Sequence, residues 1–80
     1  MPYYVPHMND VLEEIGIPPV RAYYIRVDEY VQSILGLKDA EPEEVWKVLH
    51  PKLQDAKYRA WFVEELRKRW EARDWRKEGL

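Results

Sequence analysis

Ser33 is the only aliphatic hydroxyl among 80 residues, and neither threonine nor cysteine is present. A serine nucleophile needs a base within hydrogen-bond reach and a sharp turn to present it, and "VQSILG" carries no such elbow. His7 and His50 lie 43 positions apart, without the spacing of a paired metal site. His7 and Asp10 could touch one ion, but two ligands on one short arm do not close a coordination shell. His50, ahead of Pro51, instead suits the terminal carbonyls of a helix. The glutamate pairs at 13/14, 43/44 and 64/65 are sequence neighbours. Neighbours stand about 100° apart on a helix, so they make no acid–base dyad. The three glycines, at 16, 36 and 79, form no phosphate loop and fall where helices end. These residue types and spacings predict no enzyme, no cofactor and no metal centre.

What remains is the chemistry of recognition. Residues 61–80, "WFVEELRKRWEARDWRKEGL", hold three of the four tryptophans beside six arginines and lysines. Tryptophan and arginine anchor protein interfaces, and aromatic and cationic side chains together also bind nucleic acid. Toward the other end, "PYYVP" sets Tyr3 and Tyr4 between two prolines. Such a segment suits a partner-binding strand or polyproline-like arm.

The composition provides a core to position these groups. It is 46% hydrophobic and 14% aromatic, enough apolar surface to fold. Eighty residues predict one small domain, 1–80, with a modest core. Without cysteine there are no disulfides or thiolate metal sites, so the core or a partner must supply stability. No apolar run approaches the ~18 residues of a membrane span. "MPYYVPHMND" lacks the basic start and apolar stretch of a secretory signal, so a soluble, cytoplasmic protein with no membrane partner is expected. Charged residues reach 35%, with one serine, one asparagine and two glutamines, a pattern associated with thermophile proteins. Residues 1–56 hold five basic and ten acidic side chains, and 57–80 hold eight and five, balances of −5 and +3. A chain so divided suits a charged partner or pairing between copies.

The elements follow from punctuation and period. Pro2 and Pro6 predict an extended arm over 1–8. Asn9 or Asp10 caps a short helix, "DVLEEIG", stopped by Gly16. In "PVRAYYIRVDEYVQSILG", Val20, Tyr24, Val27, Val31 and Ile34 form a helical stripe with a proline at its first position. Over 21–27, Tyr23, Ile25 and Val27 also alternate as a short strand would. The stripe runs longer, and one helix ending at Gly36 is the reading adopted. "EPEEVWKVLH" starts a third helix, with Pro42 in its first turn and Glu41, Glu43 and Glu44 at its positive end. His50-Pro51 is expected to break it. From 52 to 77 no glycine or proline interrupts a long last helix. The expected fold is therefore all-α: an arm at 1–8, short helices over 9–51, and the long helix 52–77.

That helix explains how the tryptophans and cations separate. At 100° per residue Tyr58, Phe62 and Leu66 share one direction, flanked by Val63 and Trp70. Beyond Leu66 the same face carries Arg69, Arg73, Arg76 and Lys77. Trp61, Lys68 and Trp75, two turns apart each, form a second line. About 26 residues extend about 39 Å, against a radius of gyration near 12 Å for such a chain. The helix is expected to project past the core and to offer Trp61, Lys68, Arg69, Arg73, Trp75, Arg76 and Lys77, with Tyr3 and Tyr4, to a partner. Within it, Glu64 to Lys68 and Glu65 to Arg69 are expected i,i+4 pairs.

"DEYVQSILGLKDAEPEEVWKVL", Asp28 to Leu49, resembles the helix, Leu-Gly-hydrophobic turn, helix pattern of helix-turn-helix proteins. The resemblance implies DNA binding through the second helix. It departs in the long stretch from Leu37 to Val45, and in Glu41, Glu43 and Glu44 where that helix would approach phosphates. The expected function is a non-enzymatic protein–protein interaction module, a small subunit, adaptor or inhibitor, or a homo-oligomer. The alternative is a nucleic-acid-binding protein that uses the basic face of the last helix, with a degenerate helix-turn-helix-like core.

Overall fold

Two glycines set the lengths of the first two helices. The computed structural model describes residues 4–72. Within them a 3-10 turn, Val5–Met8, leads into α1 (Asn9–Ile15), α2 (Arg21–Leu35), α3 (Pro42–Lys52) and α4 (Ala56–Glu71). Every regular element among the described residues is helical, so the all-α class holds. Gly16 and Gly36 stand at φ 95° and 73°, left-handed backbone that a Cβ disfavours. Each lets the next residue turn back: Ile17 N donates to Leu12 O at 2.9 Å, and Leu37 N to Gln32 O at 2.8 Å. Ile17 and Leu12 are both buried, so the apolar contact that accompanies this helix end is made as well.

The ambiguous segment 21–27 is helix. Its first helical residue is Arg21, after Val20 as N-cap, rather than a proline. Val20 N bonds to Pro18 O at 2.9 Å, a tight turn that keeps the two prolines outside the helix. Val27 and Val31 are buried, Tyr24 and Ile34 partly so, and Val20 is exposed.

Other boundaries depart from the sequence expectation as well: α1 starts at Asn9 with Met8 as N-cap and no side-chain cap, not after a capping Asn9 or Asp10. The arm is not extended over its described part, because Pro6 sits in the first turn of the 3-10 helix, where its missing N–H is no loss. Val5 and Met8 of that turn are core residues. Residues 1–3 lie outside the described residues. Pro51 does not break α3, which continues to Lys52. A proline in a last turn removes one intrahelical bond, and Leu53 N closes the end onto Leu49 O at 3.0 Å. The last helix begins at Ala56 and not at 52, because Asp55 caps it, its carboxylate accepting Lys57 N at 2.9 Å and Tyr58 N at 3.5 Å. Its described course ends at Glu71, and the expected overhang falls on residues outside the described ones.

The core gathers one stripe from each element: Val11 and Leu12, Val27 and Val31, Val45 and Leu49, Phe62, Leu66 and Trp70. Burying each of the larger side chains contributes roughly 1.5–3 kcal/mol. Tyr4, fully buried, closes one side. Its hydroxyl donates to Asp28 Oδ1; Gln32 Nε2 donates to Asp28 Oδ2 at 3.0 Å, and Ala40 N to Gln32 Oε1 at 2.9 Å. One chain of polar groups thus ties the 3-10 turn, α2 and the α2–α3 loop together. The radius of gyration is 11.9 Å. The 16 residues of α4 cover about 24 Å at 1.5 Å each, within the longest extent of 35 Å.

Candidate functional site

The sequence singled out two surfaces of α4: the continuation of its core face beyond Leu66 and the separate line through Trp61 and Lys68. Phe62, Val63, Leu66 and Trp70 are buried, with Tyr58 partly buried beside them. Trp70 packs near-perpendicular to Tyr23, ring centroids 5.2 Å apart, which seats the far end of α4 on the start of α2. Trp61 points away and is 47% exposed, the largest of the exposed hydrophobic side chains among the described residues. Its ring lies 5.4 Å from Tyr58, whose ring is 6.3 Å from Phe62 and has Lys52 Nζ 5.3 Å above it. Burial pushes the Tyr58 phenol up from its ordinary value. The indole therefore packs beside an aromatic row leading to the core, with about half of the residue exposed.

The cations of α4 from Arg59 onward are paired within the fold. Among the described residues, every basic side chain of α4 from Arg59 onward has a carboxylate within 4 Å. Arg59 reaches Glu14 at 3.1 Å and Asp10 at 3.4 Å, linking α4 to α1. Both carboxylates hold its proton more tightly, Glu14 foremost. Arg67 lies 3.5 Å from Glu64. Glu65 takes both Lys68, at 3.2 Å, and Arg69, at 3.1 Å. Lys68 thus pairs with Glu65 rather than with the expected Glu64, while the Glu65–Arg69 pair forms as expected. Arg69 also donates to Glu65 O at 3.1 Å, folding its guanidinium back along the helix. The Arg69 and Lys68 hydrogen bonds, in that order, hold the Glu65 carboxyl below the usual carboxylate range.

Of the residues expected to bind a partner, Trp61 and Lys68 are exposed on α4, and Arg69 is partly buried. Tyr4 has no exposed surface, its phenol given over to Asp28; burial first, then that hydrogen bond and charge, raises its pKa. Tyr3, Arg73, Trp75, Arg76 and Lys77 lie outside the described residues.

A second group was invisible in sequence. His7 and His50 both stack on Trp46, at 6.1 and 4.8 Å between ring centroids, and Tyr4 stacks there at 5.9 Å. The His50 contact is an i,i+4 pair on α3, readable in principle, but His7 arrives from the 3-10 turn. With Asp10, Gln54 and Arg59 they line a small polar cleft of about 310 Å³. Among the described residues no group of three or more histidine or carboxylate side chains is placed to hold a metal ion. No helix among them is long and apolar enough to cross a membrane. No protein-family model, curated protein or solved structure matches the chain.

Proposed function

We propose that the chain is a non-enzymatic protein–protein interaction module, and that the Trp61 face of α4 is its contact surface. The observation that carries this reading is the 47% exposure of Trp61 on a helix whose other large apolar side chains face the core. A tryptophan packed beside Tyr58 loses little freedom on binding, which favours it as an anchor. Lys68, two turns further along with a side chain 69% exposed, adds a charge at the margin of that face.

Nucleic-acid binding by the basic end of α4 is the second reading. It has less support among the described residues, because Arg67, Lys68 and Arg69 are paired with Glu64 and Glu65 of the same helix, two carboxylates that offset most of their charge. The helix-turn-helix resemblance gains little either. Six residues separate α2 from α3, and Glu41, Glu43 and Glu44 are exposed at the start of the helix that would enter a groove.

The test is reconstitution. A partner copurified with the full chain is purified and its affinity measured for the chain and for Trp61→Ala. Loss of about thirtyfold, the effect of a strong interface anchor, is expected. Unchanged affinity removes Trp61 from the contact surface. Sedimentation at low and high salt identifies the case in which the partner is a second copy, and fluorescence titration with single- and double-stranded nucleic acid at about 50 mM salt tests the second reading.

A further inference from the structure

The cations around the start of α4 differ from those that follow. Lys52 closes α3 and Lys57 lies in the first turn of α4, and both are exposed. Among the described residues neither has a carboxylate within 4 Å, whereas Arg59, Arg67, Lys68 and Arg69 each have at least one. Asp55 stands between the two lysines in sequence, but its carboxylate is turned onto Lys57 N and Tyr58 N. There it offsets the positive end of the helix rather than a side chain.

Both lysines border Trp61. Lys52 Nζ stands 5.3 Å from the centroid of the Tyr58 ring, and that ring is 5.4 Å from the ring of Trp61. Lys57 is the i,i+4 neighbour of Trp61 and so lies beside it on the helix surface. Toward the C-terminus the neighbours of the indole are Glu64 and Glu65. Arg67 takes the first, and Lys68 and Arg69 take the second. A half-exposed tryptophan thus has unshared positive charge on one side and paired charge on the other.

That asymmetry gives the surface a chemical preference. A large apolar side chain of a partner covers the open part of Trp61, and carboxylates close to it meet Lys52 and Lys57. A basic partner would set like charge against the two lysines. Nucleic acid fits less well. A base can stack on Trp61, but a polyanion needs cations spaced along its backbone, and the next ones here are already paired with Glu64 and Glu65.

We propose that the Trp61 face takes an acidic segment of another protein, one that presents a large apolar side chain with aspartate or glutamate beside it, and that Lys52 and Lys57 select for those carboxylates. This inference rests on the reading of Trp61 as a contact residue and adds the chemistry of the partner to it.

A displayed library of random peptides, selected on the full chain at low salt, is the test. Enrichment of peptides that combine aspartate or glutamate with phenylalanine, leucine or tryptophan is the expected result. Synthetic copies of them are expected to bind Trp61→Ala about thirtyfold more weakly. For Lys52→Glu combined with Lys57→Glu the expected loss is about tenfold, shrinking as salt is raised. Circular dichroism checks that the variants fold. Lys57→Glu alone, a glutamate in a first helical turn, serves in place of a double variant that unfolds. Peptides that need Trp61 but lack an acidic excess, or that bind the lysine variants equally well, overturn the inference and leave Trp61 a contact residue. A selection in which nothing depends on Trp61 overturns both. Single-stranded DNA that binds more tightly than the selected peptides, with losses in the same variants, overturns it in favour of nucleic acid. A dimer in sedimentation that Trp61→Ala dissociates overturns it in favour of a second copy.

Discussion

The buried Tyr4 phenol donates its proton to the Asp28 carboxylate across 24 residues of chain, joining the 3-10 turn to the middle of α2. Tyr4→Phe removes that donor and leaves Asp28 with Gln32 Nε2 as its remaining side-chain partner. A hydrogen bond to a charged group is worth about 1.5–3 kcal/mol, and urea unfolding of the variant is expected to register a loss of that size.

The same pair sets a pH dependence. The folded chain holds the Tyr4 proton above the ordinary tyrosine value of 10.0, through burial and through Asp28. Below pH 10 both folded and unfolded forms keep it, and this contribution to stability is complete. Above pH 10 the unfolded chain releases the proton and the folded chain does not, so stability declines as pH rises. The decline attributable to Tyr4 approaches about 1.4 kcal/mol per pH unit. The difference between unfolding curves of the natural chain and Tyr4→Phe, measured from pH 9 to 11, isolates it. Parallel curves would mean that Tyr4 ionises as freely folded as unfolded.

Two tryptophans on one helix are expected to behave in opposite ways. Trp70, 6% exposed and near-perpendicular to Tyr23, is expected to cost about 3–5 kcal/mol as Trp70→Ala. Trp61→Ala removes a half-exposed ring and is expected to change stability by no more than about 1 kcal/mol. Chemical denaturation of both variants makes the comparison, and a Trp61 cost equal to that of Trp70 would place Trp61 in the core.

Asp55 caps α4 through its bonds to Lys57 N and Tyr58 N. Asp55→Ala is expected to lower stability by about 1 kcal/mol, and Asp55→Ser to recover most of the loss. Melting followed by circular dichroism measures both.

Glu65 pairs with both Lys68 and Arg69. Its carboxyl is held below the usual range, so the contribution of these pairs is present at neutral pH and fades as acid protonates it. Carbon-detected titration should find the Glu65 midpoint below those of the exposed glutamates. Glu65→Gln frees two cations and is expected to raise affinity for single-stranded DNA at low salt. If it does not, the second half of α4 has no part in polyanion binding.

Local signals carried the helices and failed at their joints. Gly16 and Gly36 were legible because a left-handed helix end needs a residue without a Cβ. Phe62, Val63, Leu66 and Trp70 were legible because the helical period places them on one face. Asp55 was a readable cap, yet the absence of glycine and proline after Pro51 favours one long helix. Prolines misled three times: Pro6 opens a 3-10 turn and Pro51 closes α3, both positions where the missing N–H matters little, and Pro19 stays outside α2. The Tyr4–Asp28 bond and the meeting of His7 with His50 on Trp46 join separate elements, and no local pattern encodes them. For the surface, sequence identified Trp61 through its line on the wheel and the Glu65–Arg69 pair through its spacing, but not that Lys68 would also turn to Glu65 and leave Glu64 to Arg67. Tyr4 as a contact residue was the instructive miss: an aromatic between prolines reads as an arm until a core is found to receive it.

Arg59 meets Asp10 and Glu14 across 49 and 45 residues, whereas Tyr4 meets Asp28 across 24. On a ribosome these two attachments become available at different times. α2 can accept the 3-10 turn as soon as it has emerged, and that shorter loop is the less costly to close. The bridge from α1 must wait until the first turn of α4, which carries Arg59, has left the exit tunnel. Loop length thus ranks the two closures, the Tyr4–Asp28 attachment costing less chain entropy than the one from α1 to Arg59.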